Sequence, residues 1–313
     1  MPEDLACGCK MVCSHPMEPG LTGRTSGRIE VDIAADSPCC PGIAFRVANP
    51  GDCEMFCSRP HASGEWDALQ YDPIFNYSNT WQIYHGEGFQ KQAHIPMGKW
   101  YTFFVEYSGN RAVGGLVGQE PLAVETLATP WTTGGVGIWT HLPAYFADLR
   151  IYDLPAERLT GCVPPHGARH SVKPLPSGII CKWLVQGHGV VTCEPNGVLN
   201  LNRYFPLSQR EVLLTREFCL DKETTVAMSF GLSDDLTLFV DGVALYTTTK
   251  AYRPTAGRQG RGYVEIGTCK MTRLLGAGKH RLEVRLRVSE PYGWGLAFSL
   301  DAQGLRLLPV PAV

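Results

Sequence analysis

The run Leu236–Thr248, LTLFVDGVALYTT, decides the fold class of this chain. Apolar residues alternate on both sides of Asp241-Gly242, as they do in strands that bury one face. Asp-Gly supplies the two positive-φ positions that a tight hairpin turn needs. The same pattern repeats outward. Towards the C-terminus it predicts strands at Tyr263–Thr268, Gly278–Val288 and Gly293–Asp301. Towards the N-terminus it predicts Ile179–Val185, Gly189–Cys193, Gly197–Asn200, Glu211–Cys219 and Thr224–Leu232. One jelly roll over residues 179–313 accommodates this spacing.

The first half reads the same way. Strands are predicted at Arg28–Ala34, Gly42–Val47, Glu54–Ser58, Trp81–His85, Trp100–Ser108, Ala112–Val117, Gly135–Thr140 and Ala144–Tyr152. Ile29, Val31 and Ile33 alternate with Glu30 and Asp32, so one face of that strand is apolar. No long stretch keeps a helical period, although Pro155–Leu159 is expected to form a short helical turn. A sandwich over residues 24–155 follows. Residues 156–178 are proline-rich and read as a linker. Residues 1–23 read as an irregular, cysteine-rich arm. The expectation is an all-β protein with two β-sandwich or jelly-roll domains packed in tandem.

Composition narrows the function. The 313 residues suffice for two buried cores. With 28 basic and 30 acidic residues the net charge is -2, which offers no field for nucleic acid. No stretch approaches the about 18 apolar residues of a membrane helix. The N-terminus, MPEDLACGCKMVC, begins with acids and lacks an apolar core. That reads as a cytoplasmic protein, or as one whose signal has been removed. The 12 cysteines are accordingly expected to be mostly reduced thiols, many of them buried. Cys7, Cys9, Cys13 and His15 lack the spacing of a structural zinc site, and the three cysteines read as free thiols on the arm.

One stretch is too polar and aromatic to be scaffold alone: Ser58–His85, SRPHASGEWDALQYDPIFNYSNTWQIYH. Arg59 offers a planar fork for a carboxylate or for hydroxyls. His61, Asp67 and His85 are candidate acid–base groups. Gln70, Asn76 and Gln82 pair donors with acceptors. Tyr71, Trp81 and Tyr84, together with Trp66, can stack on a sugar face or an unsaturated ring. Turn signals within the stretch place much of it in loops, where rigid sandwiches usually carry their sites. A loop whose polar groups bind one another and whose aromatics close the core explains the same residues.

Several motifs carry a resemblance. RIEVDI, GIAFRV, RPHASGEWDALQYDPIFN, WQIYHGEG, GKWYTFFVEYSGNRA and the pair GGVGIWT with AYFADLRIY resemble the concanavalin A-like lectin/glucanase sandwich, in the branch of laminin-G modules and 3-keto-glycoside hydrolase-like domains. GVLNLNRYFP, VAMSFGLSDDLTLFVDGVALY, GAGKHRLEVRL and SEPYGWGLAFSL resemble the galactose-binding-like jelly roll. Both folds host lectins, enzymes and inert modules. Laminarinase-type hydrolases place three acids along one strand. Glu30 and Asp32 match the first two positions, but Ala34 or Ala35 stands at the third. Hydrolysis by that mechanism is therefore not expected. The second resemblance implies a structural calcium held by Asp234, Asp235 and Asp241; ordinary turn chemistry explains the same aspartates. No other cofactor is required.

Two functional readings follow. The first is a lectin-like protein that binds a glycan or another polyhydroxylated small ligand through residues 58–85. The second is an intracellular enzyme acting on a small biosynthetic intermediate by cyclase- or isomerase-type proton transfer. In that reading His61, Asp67 or His85 would move the proton and Arg59 would polarise an oxygen.

Overall fold

The computed structural model describes residues 9–12, 23–154 and 175–310. The chain divides into two compact units, Met1–Ser171 and Val172–Val313, and both are built from β-sheet. The boundary falls inside the proline-rich span. Cys7, Cys13, His15 and the turn expected at Pro155–Leu159 lie outside the described residues.

The first unit stacks two antiparallel sheets. Its strands are β1 (Cys9–Val12), β2 (Ser26–Ala34), β3 (Cys40–Asn49), β4 (Asp52–Ser58), β5 (Leu69–Tyr71), β6 (Gln90–Lys91), β7 (Tyr101–Ser108), β8 (Arg111–Leu116), β9 (Leu122–Val124), β10 (Gly135–His141) and β11 (Tyr145–Tyr152). One sheet has the order β1-β10-β3-β4-β5-β6 and the other β11-β2-β7-β8-β9. Alternation on β2 works as the sequence suggests: Ile29, Val31 and Ile33 are buried. Removing each such side chain from water contributes about 1.5–3 kcal/mol. Across the interface Phe45 packs on Tyr107, with centroids 5.0 Å apart. Phe56 lies on Gly114, where an added Cβ would come within 2.6 Å of its ring. The sheets therefore approach closely at that glycine.

The second unit holds β12 (Lys182–Val185), β13 (Gly189–Thr192), β14 (Leu199–Asn200), β15 (Glu211–Leu220), β16 (Thr224–Leu232), β17 (Asp234–Val240), β18 (Val243–Lys250), β19 (Cys269–Leu275), β20 (Gly278–Arg287), β21 (Gly295–Asp301) and β22 (Leu305–Leu307). The larger sheet runs β13-β12-β15-β20-β17-β18, with β22 also on β15; the smaller runs β14-β21-β16-β19. The core includes Trp183, Phe218, Phe230, Trp294 and Phe298. Phe230 and Phe298 stack at 5.2 Å. The hairpin that fixed the fold class is present. Val240 pairs with Val243, and Asp241 and Gly242 take φ of 52° and 78°.

Three expected elements differ. Trp81–His85 is a turn, with the Ile83 and Tyr84 amides both donating to the Thr80 carbonyl. Tyr263–Thr268 is irregular and ends in a turn. Gly267 adopts φ 90°, Thr268 N donates to Glu265 O, and the strand begins only at Cys269. The arm is not wholly irregular, because β1 pairs with β10 from Cys9↔His141 to Val12↔Ile138.

Candidate ligand-binding site

Residues 58–85 connect β4 to β5 and then continue beyond β5, at one end of the six-stranded sheet. The connection is irregular, so its backbone groups need other partners. Two buried devices supply them. At the first, Arg59 pairs with Asp67 across the short turn Pro60–Ala62, and both side chains are buried. Arg59 Nη1 also donates to the Asp67 carbonyl at 3.3 Å, and Arg59 N to Ala68 O at 2.8 Å. The loop is thus closed by charge and backbone together.

At the second, the Asp72 carboxylate accepts from Asn79 Nδ2 at 2.6 Å and from Thr80 N at 2.7 Å, and also from the backbone of Trp81. Asp72 is 2% exposed. Burial pushes its carboxyl up to about 7, and the three hydrogen bonds pull against that rise. Thr80 Oγ1 donates to the Pro73 carbonyl. Capture of the Thr80 and Trp81 amides turns the chain, and this is why Trp81–His85 does not extend into a strand.

The candidate residues separate into two layers. The inner layer is core. Tyr71 and Gln82 have no exposure and Tyr84 has almost none. The Tyr71 ring lies 5.3 Å from Phe56, 5.8 Å from Tyr84 and 5.9 Å from Phe89. Its hydroxyl donates to Glu54 and accepts from Ala128 N at 2.7 Å. Glu54 also accepts from Thr129 N and Oγ1 at 2.7 and 2.6 Å. Burial pushes the Glu54 carboxyl above its ordinary range, against the hydrogen bonds from Thr129 and Tyr71. Gln70 is buried on β5, paired with Cys57 and Gln90. Tyr71, Gln82 and Tyr84 therefore support the loop and present no stacking face to a ligand.

The outer layer remains at the surface. His61 is exposed and its Nδ1 lies 3.0 Å from the Cys39 carbonyl. Trp66, Asn76, Trp81 and His85 are half-buried. Asn76 takes φ 49°, and its amide donates to Asp52 Oδ1 at 3.2 Å. Trp81 and His85 bracket the turn whose middle residues, Gln82, Ile83 and Tyr84, point inward. Sequence reasoning passed over Asp72, Glu54 and Phe89. The Asp72-Pro73 pair was the available signal, since Asp readily captures amides further along the chain.

The acids of β2 stand in an ion network. Glu30 accepts from Arg28 Nε at 2.6 Å and Arg150 Nε at 3.3 Å; Asp32 accepts from Arg150 Nη2 at 2.9 Å and Thr102 Oγ1 at 2.7 Å.

The three aspartates considered for calcium are not gathered. Asp234 is buried with φ 64°, and its Oδ1 accepts from Ser289 N, Ser289 Oγ and Glu290 N at 2.8, 2.6 and 2.9 Å. Burial raises its carboxyl to about 6. Asp235 accepts from Thr249 Oγ1 at 2.7 Å. Asp241 accepts from Arg281 N at 2.8 Å and faces His280 Nδ1 at 2.7 Å. Among the described residues no group of three or more His, Cys, Asp or Glu is placed to hold a metal ion. Among the described residues, also, no helix is long and apolar enough to cross a membrane.

The second unit has a cleft of its own, of about 250 Å³, which the sequence did not signal. Gln186, His188, Phe205, Gln209 and Glu211 line it together with Val185 and Val212. The His188 and Phe205 rings lie 4.6 Å apart.

No family model matches the chain, and no curated protein matches it. Solved structures do. The chain is similar to carbohydrate-binding module CBM66 from Bacillus subtilis, with 13% identity and a TM-score of 0.34, over 48% of this chain and 98% of that one. It is similar to domains LG4-5 of the mouse laminin alpha1 chain, with 12% identity and a TM-score of 0.29, over 96% and 87%. It is also similar to the GH31 alpha-xylosidase of Xanthomonas citri, with 12% identity and a TM-score of 0.25, over 85% of this chain and 27% of that one. The all-β fold stands on the strand pairing described above.

Proposed function

We propose that this protein binds a glycan or a similar polyhydroxylated ligand at the outer layer of residues 58–85. One observation carries the reading. The Thr80–His85 turn is irregular yet fixed from beneath by the buried Asp72 carboxylate, and it leaves Trp81 and His85 at its surface. A surface aromatic held in place loses little freedom on stacking against the C–H face of a sugar ring. His85, at the other end of the same turn, and the exposed His61, on the β4–β5 connection, carry ring nitrogens of the kind that bond hydroxyls. Asp67, one of the three candidate acid–base groups and the only carboxylate among them, is instead occupied by Arg59 beneath the surface. That arrangement favours binding over proton transfer.

A glycan array followed by titration calorimetry tests this. Trp81→Ala should weaken the retained glycan by on the order of ten-fold or more, as loss of an aromatic anchor does. An array that retains no glycan, or undiminished affinity in Trp81→Ala, rejects the reading.

A further inference from the structure

Apart from the ligand reading, the second unit contains a pair of thiols set for a covalent step. The β12–β13 hairpin runs in the register Lys182↔Thr192, Trp183↔Val191, Leu184↔Val190, Val185↔Gly189. One step further out, the same register sets Cys181 opposite Cys193. The backbone confirms the step, because Cys193 N donates to Cys181 O at 2.8 Å. Directly opposed residues project to the same face of a sheet. Here that face is the inner one, shared with the buried Trp183 and Val191. Opposed residues joined by such a backbone bond have Cα atoms about 5.5 Å apart, which is the commonest separation for a disulfide. Both cysteines are free and half-buried, and Cys193 Sγ lies 3.4 Å from the Ile180 carbonyl.

We propose that Cys181 and Cys193 form a reversible modification site, closing to a cross-strand disulfide when the protein meets a low-molecular-weight disulfide oxidant. One thiol of the pair loses its proton and attacks a sulfur of the oxidant. A mixed disulfide forms and one small thiolate leaves. The second thiol loses its proton, attacks the protein-side sulfur of the mixed disulfide and expels the other small thiolate. The two protons end on the two released thiols. The protein pair is oxidised by two electrons and the reagent is reduced by two. Burial pushes the Cys193 thiol well above its ordinary range, so it is a slow nucleophile towards bulk reagent. Its role is to resolve a mixed disulfide formed at Cys181. The bond would tie the base of the hairpin whose turn, with Gln186 and His188, forms one wall of the cleft.

The whole protein, reduced and then equilibrated with an oxidised and reduced glutathione mixture, decides the matter. Free thiols are alkylated in acid-quenched samples and the chain is digested with trypsin without reduction. Cleavage after Lys182 separates the two cysteines, so the bond appears as two joined peptides lighter by about 2 Da, the two hydrogens lost. The expected result is loss of alkylation at Cys181 and Cys193 together, restored by reductant, with a rise of several degrees in melting temperature. Cys193→Ser should instead accumulate glutathione on Cys181. Full alkylation of both residues at the oxidising end point, or pairing of either with a different cysteine, overturns the proposal. The wild-type map decides even if the variant fails to fold.

Discussion

Asp72 in the first unit and Asp234 in the second are both buried carboxylates that accept backbone amides from a neighbouring loop. Burial raises both, to about 7 and about 6. What they hold differs. Asp234 sits at the start of a strand and ties it to Ser289 and Glu290, just past the adjacent β20. Asp72 holds a segment with no strand ladder, and that segment displays Trp81 and His85. The same chemistry closes a sheet end in one unit and builds a platform in the other.

The largest expected effect breaks this comparison open. Asp72→Ala leaves the Thr80 and Trp81 amides and the Asn79 side chain without their acceptor, at a cost of about 2–4 kcal/mol. Asp234→Ala should cost a similar amount through Ser289 and Glu290. Only Asp72→Ala should also lower glycan affinity, by on the order of ten-fold, in protein shown by circular dichroism to remain folded. Equal ligand loss in both variants would show that the platform is not what Asp72 serves.

A smaller effect concerns the inner layer. Tyr71→Phe removes the hydroxyl that bridges Glu54 and the Ala128 amide, and should destabilise by about 1–2 kcal/mol in urea unfolding. Because Tyr71 is wholly buried, ligand affinity should stay within about two-fold of wild type. A strong loss of affinity without loss of stability would return Tyr71 to the binding surface.

The pH dependence sharpens the contrast. A carboxyl whose folded pKa lies above its unfolded value binds its proton more tightly in the folded state, so stability falls as pH rises. For Asp72 the window runs from about 4, the unfolded value, to about 7. For Asp234 it ends near about 6. The urea midpoint compared between wild type and Asp72→Asn should therefore show the variant losing less stability than wild type between these limits. An identical slope in both would remove Asp72 as the source.

The smallest effect is expected at Asp235, whose Thr249 partner is exposed. Asp235→Asn should change stability by less than about 0.5 kcal/mol. Added calcium should leave the melting temperature where it is, since the three aspartates are spread along β17 and its turn. A calcium-dependent rise would reinstate the metal site.

Local pattern was legible where one face of a strand meets one core. Ile29, Val31 and Ile33 on β2, and the Asp241-Gly242 hairpin, were read correctly because strand period and turn chemistry are short-range properties. Trp81–His85 misled because its composition suits a strand, while its conformation is set by Asp72, nine residues before Trp81 in the chain. Tyr263–Thr268 misled for a similar reason: Gly267 and the Glu265–Thr268 bond turn the chain before pairing starts. At the candidate site, density of polar and aromatic residues singled out a segment but not the layer to which each residue belongs. Tyr71 and Trp81 are equally aromatic on paper, and only packing against Phe56 and Phe89 sends the first inward.

The sequence by itself therefore determined an all-β chain in two units, the strand faces and the main hairpin, because those depend on periodicities of two and on a few turn residues. The tertiary structure alone decided which side chains of residues 58–85 reach the surface, that Asp67 is occupied by Arg59, and that Cys181 faces Cys193. Each of those depends on register or on packing in the folded chain, which composition and spacing do not encode.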